Sequence, residues 1–127
     1  MAVKFKVIEK GQPGVVGGGT KKFYASTKLS GETNIELLTA HIERMSTMSG
    51  ADIRGVLYAL VDVATTELSN GSIIRLGDLG SLRLSISSMG MPTEKEVTAG
   101  SIKGTKILFT PGKKLKDMQK TVQFQKD

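Results

Sequence analysis

The chain has 127 residues, 39% of them hydrophobic and 24% charged, a size and balance that fit one folded domain and argue against wholesale disorder. It holds no cysteine and one histidine, His41, which excludes disulfides, thiolate nucleophiles, Cys-ligated zinc and any multi-histidine metal site. The net charge of +6 is segregated: six lysines stand against one glutamate over residues 1–31, two arginines against six acids over 32–71, and ten cations against five acids over 72–127, so the basic segments suit a polyanion.

Val3, Phe5 and Val7 alternate with Lys4 and Lys6, which is strand periodicity. Five glycines and one proline within residues 11–19 make a loop by composition. Lys22–Lys28 reads as a second strand with Phe23, Ala25 and Thr27 on one face, and the two strands are expected to form a hairpin. The run Gly17-Gly18-Gly19-Thr20-Lys21 lacks the spacing of a phosphate-binding P-loop and precedes a strand-like segment rather than a helix, so it reads as a flexible turn.

Thr33 to Glu36 has the spacing of a capping box, and Ile35, Leu38, Ile42 and Met45 follow at helical intervals, predicting a helix over about 34–46. Ser49 is placed to cap a second helix carrying Ile53, Val56, Leu57, Leu60, Val61, Ala64 and Leu68, and Asn70-Gly71 to end it. That apolar stripe is wide, and two helices with a thin sheet offer it little cover. It is expected to serve both as core and as a dimer seam.

Beyond Gly71 the period changes to two. Residues 73–76 predict a short strand, 77–80 a turn, and Leu82, Leu84 and Ile86 alternate with Ser81, Arg83, Ser85 and Ser87 in a half-buried strand. Residues 88–103 lose any core face and read either as a mobile loop or as a protruding hairpin. Thr105–Thr110 returns to strand. Pro111 is expected to start a short basic helix anchored by Leu115 and Met118, and Val122 and Phe124 predict a last strand. The order is α+β rather than alternating βαβ.

Lys113, Lys116 and Lys120 share one side of the last predicted helix, with Lys114 beside them. Lysines at a helix amino end oppose its dipole, which favours an external anion over a role in helix stability. Arg83 points away from Leu82 and Leu84, Arg75 lies opposite Ile74, and Lys103 and Lys106 lie at the base of the patternless segment. Each of these could equally be part of a solvated face. His41 reads as a surface residue. No catalytic constellation is present, so no enzyme activity, cofactor, metal or small-molecule substrate is expected. No apolar run approaches the ~18 residues of a membrane span, and the first residues lack a signal-peptide core. A soluble cytoplasmic protein without a membrane partner is the expectation.

Three features together resemble the HU/IHF family of histone-like bacterial DNA-binding proteins. Two helices precede the sheet. Leu76-Gly-Asp-Leu-Gly-Ser-Leu-Arg-Leu84 resembles the family's Gly-Phe-Gly-Thr-Phe turn with one residue inserted. Phe109-Thr-Pro-Gly-Lys-Lys-Leu-Lys-Asp117 resembles the family's Phe-Lys-Ala-Gly-Lys-x-Leu-Lys-Asp. The likeness covers about residues 33–121, and residues 1–31 look like the amino-terminal extension of a Bacteroides-type branch of HU-like proteins.

The resemblance implies a β extension over 1–31 with a glycine-rich loop, and an HU/IHF-like domain over 32–127. That domain would have a helical dimerisation base, an antiparallel β-saddle, a protruding arm over about 87–104 and a C-terminal helix. It implies a nucleoid-associated dimer, a homodimer with a heterodimer as the alternative, that grips double-stranded DNA without sequence specificity, with Arg75, Arg83, Pro92, Lys95, Lys103, Lys106, Lys113, Lys114, Lys116 and Lys120 as candidate DNA-binding residues. Pro92 sits near the offset of the family's wedging arm-tip proline, although a plain turn proline is the alternative. The chain departs from the family's Arg-Asn-Pro tip, reading Gly90-Met-Pro-Thr-Glu-Lys-Glu96, and carries Ser85 and Ser87 where the family presents arginines. Weaker binding and less bending follow. The competing reading is a protein-interaction or structural module that reuses the fold.

Overall fold

A computed structural model describes residues 2–127. Alternating side chains build the first strand, β1 (Val3–Lys10), and the second, β2 (Lys22–Thr27), which pair antiparallel from Phe5↔Thr27 to Lys10↔Lys22. The glycine-rich connection is closed by Gln12 N–H donating to the Gly18 carbonyl at 2.7 Å. Positive φ at Gly14, Gly17, Gly18 and Gly19 gives that loop conformations other residues avoid.

Asn34 caps α1 (Ile35–Met45), its side chain accepting from Leu37 N–H at 3.0 Å. The expected capping residue, Thr33, lies one position too early. Along α1 the half-buried Ile35 and Ile42 flank the buried Thr39, whereas Met45 is 86% exposed and does not complete the expected stripe. Ser49 caps α2 (Gly50–Ser69) as expected, accepting from Asp52 N–H at 3.2 Å. Asn70 closes it, and Gly71 takes the left-handed φ of +86° that favours glycine at a helix end. Arg54 on α2 pairs with Glu36 on α1 at 2.9 Å.

The second sheet has the order β3 (Ile74–Arg75), β4 (Gly80–Ser88), β5 (Ile102–Pro111), all antiparallel. Helix α3 (Lys113–Thr121) follows, then β6 (Phe124–Lys126), which pairs in parallel with β1 from Val3↔Phe124. The protein is thus a mixed α+β chain with three helices and two three-stranded sheets among the described residues. Pro111 does not begin the last helix: it is the final residue of β5, opposite Gly80. Gly112 then passes so close to the 77–80 turn that a β-carbon there would lie 2.9 Å from the Gly80 nitrogen, and its N–H donates to the Leu79 carbonyl at 2.9 Å. Only past this contact can the chain turn helical.

The contacts divide the chain into two units: Met1–Thr33 with Met118–Asp127, and Asn34–Asp117. The carboxy-terminal residues join the first unit because β6 completes the β1–β2 sheet. Lys28 and Asp127 form an ion pair in that unit. The hydrogen bond from Lys28, reinforced by its charge, holds the Asp127 carboxyl below the ordinary carboxylate range.

In the second unit, Leu82, Leu84, Ile107 and Phe109 share one face of the sheet by register. Leu84 and Ile107 join Thr65, Leu68 and Ser69 of α2 around a cavity of about 390 Å³, which shows that this apolar face is turned toward the helix. The core remains thin. Among the described residues Ile53 is the one apolar side chain that is fully enclosed, while Val56, Leu60 and Val63 along the flank of α2 stay exposed.

Candidate nucleic-acid interface

The face of the second sheet opposite the apolar one is polar. In antiparallel pairing, residues directly opposite one another project to the same side. Ser81, Arg83, Ser85 and Ser87 on β4 therefore stand with Thr110, Leu108, Lys106 and Gly104 on β5, and Arg75 on β3 joins them opposite Ser81. Arg75, Arg83 and Lys106 share this face with hydroxyl side chains, the half-buried Leu108 and no acid. Serines stand directly opposite Arg75 and Lys106, and the long Arg83 side chain can extend past Leu108, so the charged ends reach outward.

One end of the polar face opens into a shallow hollow of about 270 Å³ lined by Arg75, Gly77, Gly80, Ser81, Thr110, Pro111 and Gly112. Helix α3 starts directly after this hollow. Its exposed Lys113 and Lys116 project on one side, Lys120 follows one turn later, and Lys114 stands beside them. The first of these lysines stand at the positive end of the helix dipole, where they add to its attraction for an anion. Leu115 is half-buried.

At the far end of the sheet the register steps between Ser87↔Gly104 and Ser88↔Ile102, which leaves Lys103 as the extra residue. Such a bulge re-aims a side chain, so Lys103 departs from the strict alternation that places Lys106.

The segment between β4 and β5 contains no strand. Two one-turn 3-10 helices, Glu94–Glu96 and Ala99–Ser101, fold it back on itself. Ser101 closes it: its carbonyl accepts from Met89 N–H at 2.8 Å, its hydroxyl accepts from Thr98 N–H at 3.1 Å, and it is itself buried. Pro92 lies exposed in a bend, and Lys95 stands between Glu94 and Glu96. Neither stands in the sheet that carries Arg75, Arg83 and Lys106.

Residues 1–126 match the family described as an HU domain fused to a winged helix-turn-helix, an immunoglobulin-like or a glycine-rich motif, HU-HIG. The chain belongs to the HU-HIG family. A crystal structure from Bacteroides vulgatus ATCC 8482, of a protein described as a candidate bacterial DNA-binding protein, superimposes with a TM-score of 0.62 at 15% sequence identity, covering 98% of this chain and 48% of that one. The chain thus spans about half the length of that neighbour. No curated protein matches the sequence.

In this HU-HIG chain the ten residues singled out from sequence fall into four places. Arg75, Arg83 and Lys106 are brought onto one face. Lys113, Lys114, Lys116 and Lys120 line α3, and Lys103 sits alone at the bulge between sheet and tip. Pro92 and Lys95 lie in the folded tip. Sequence reasoning missed Ser101 as the residue that organises this tip. Its only signal was a small polar side chain in a patternless stretch, which nothing local distinguishes from a loop serine.

Proposed function

We propose that this HU-HIG chain is a sequence-independent, architectural DNA-binding protein that works as a homodimer. The observation that carries the proposal is the acid-free polar face of the second sheet, with Arg75, Arg83 and Lys106 projecting from three adjacent strands. Cations spread over a sheet face contact phosphates wherever the duplex lies, and nothing there offers the paired donors and acceptors that read base edges. The lysines of α3 extend the same chemistry. The folded, near-neutral tip supports modest bending, since kinking requires a wedge and enough contacts to offset unstacking of a few kcal/mol per step.

The dimer is supported by area. The chain exposes 10340 Å², whereas two independent globules of the sizes of its units would expose about 7,800 Å² together. The excess is on the scale of an obligate interface. Val56 at 57% exposure, with Leu60 and Val63, makes the flank of α2 the surface a second copy would cover.

A second reading, a protein-interaction module, is favoured by the first unit. Phe23 and Phe124, 70% and 65% exposed, lie on its apolar sheet face. The test is binding to a random duplex of about 30 base pairs across a salt series, beside a nicked duplex. Steep loss of affinity with salt and a preference for the nicked duplex are expected. Absence of binding at low salt rejects the architectural function and leaves the interaction module.

A further inference from the structure

Granted the duplex-binding role proposed above, we infer that the basic face of the amino-terminal sheet is a second surface for the DNA backbone, formed by Lys4, Lys6, Lys10 and Lys22. The register of β1 with β2 and β6 segregates the side chains of this sheet. Val3, Phe5, Val7, Ala25, Phe23 and Phe124 fall on one face, with Glu9 and Lys126. The other face carries the four lysines, with the half-buried Ile8 opposite Tyr24. Asp127 also reaches this side, where it is engaged by Lys28 and is felt by Lys4. The four lysines themselves take part in no ion pair among the described residues.

The arrangement is not one the fold needs. Lys10 stands directly opposite Lys22, and like charges facing each other across a strand pair destabilise a sheet. A polyanion lying over the face reverses the sign of that interaction. Along β1, Lys4 and Lys6 are separated by about 6.8 Å, twice the strand rise. This is also about twice the 3.4 Å axial spacing of charges on one DNA strand, so successive lysines can engage one backbone.

Other polyanionic partners fit less well. Single-stranded nucleic acid is held largely by bases stacking on aromatic rings. The one ring on this face, Tyr24, has the Lys10 ammonium 5.1 Å from its centroid and so is already covered. A membrane surface requires several exposed apolar side chains inserting beside the cations; here the phenylalanines lie on the opposite face and the one aliphatic side chain among the lysines, Ile8, is half-buried.

The experiment compares the full chain with the variant Lys4→Gln/Lys6→Gln/Lys10→Gln/Lys22→Gln and with Lys126→Gln, a single neutralisation on the opposite face. The slope of log affinity against log salt for duplex DNA is expected to fall by about 3 to 4 in the quadruple variant and by less than about 1 in the control. Acetylation of lysines in the unaltered protein, read by mass spectrometry, removes any dependence on the variant's folding. Duplex DNA is expected to slow modification of Lys4, Lys6, Lys10 and Lys22 several-fold and leave Lys126 unchanged. A steep slope in the unaltered protein with no change in the quadruple variant and no protection overturns the second surface while the duplex-binding function stands. No salt-dependent duplex binding by the unaltered protein overturns both. Protection of these lysines by phosphatidylserine vesicles or polyglutamate, but not by duplex, overturns it in favour of a lipid or acidic-protein partner.

Discussion

Gly112 shows how one missing side chain positions a basic helix. A β-carbon there would strike the backbone of the 77–80 turn, so the start of α3 is held against the sheet by a contact no other residue permits. Gly112→Ala is expected to cost about 1–3 kcal/mol, measured by chemical denaturation, and to weaken duplex binding more than its distance from the lysine tips suggests. Asn34 carries the cap of α1; Asn34→Ala is expected to cost about 1 kcal/mol and Thr33→Ala almost nothing. Thr and Asn both serve as caps, and the structure selects Asn34, whose extended backbone lets its side chain reach Leu37 N–H. Asp127 offers a pH test. Its folded-state carboxyl is depressed by Lys28, so the pair stabilises above the unfolded carboxyl pKa and that contribution is lost as pH falls through the lower folded value. An NMR titration is expected to place the Asp127 midpoint below that of a free aspartate, and Lys28→Gln to return it toward the ordinary range.

At the scale of elements, periodicity carried most of the reading. Strand alternation around Leu82–Ile86 and the apolar spacing of α2 are short-range patterns, and the structure contains both. The segment between β4 and β5 has no such pattern, and its fold depends on Ser101 meeting Met89 from the other end of the segment and Thr98 within its own turn. A basic helix likewise announces its charge but not its orientation. Neutralising Lys113, Lys116 and Lys120 of α3 together to Gln is expected to lower the salt slope for duplex binding by about 2 to 3 without loss of helix. The measurements are the salt series and far-ultraviolet circular dichroism. The same substitution of Lys95, between two glutamates in the tip, is expected to change the slope little.

For the whole molecule, the decisive quantity is the apolar surface one chain leaves uncovered. With Ile53 alone enclosed among the apolar side chains described, a single chain buries little that would offset its conformational entropy. Leu60→Glu on the exposed flank of α2 is expected to yield a monomer of reduced thermal stability, checked by sedimentation and by a melting temperature that no longer rises with protein concentration. A monomeric unaltered protein rejects the proposed dimer, and a variant that stays dimeric places the interface on another face.

Most of the elements, the segregation of charge and the kinship to histone-like proteins are legible from the residues alone, because these rest on local spacing and on short motifs such as Phe109–Asp117. The residues also indicate that the stripe on α2 is too wide for one chain to cover. Which distant residues meet is settled by the fold and not by local spacing. Parallel pairing of β6 with β1 places the last residues in the amino-terminal unit. The β3–β4–β5 register gathers Arg75, Arg83 and Lys106 on one face. The physical reason is that a strand's alternation tells which side chains share a side of that strand, whereas its neighbours and register are selected by hydrogen bonding between segments far apart in the chain.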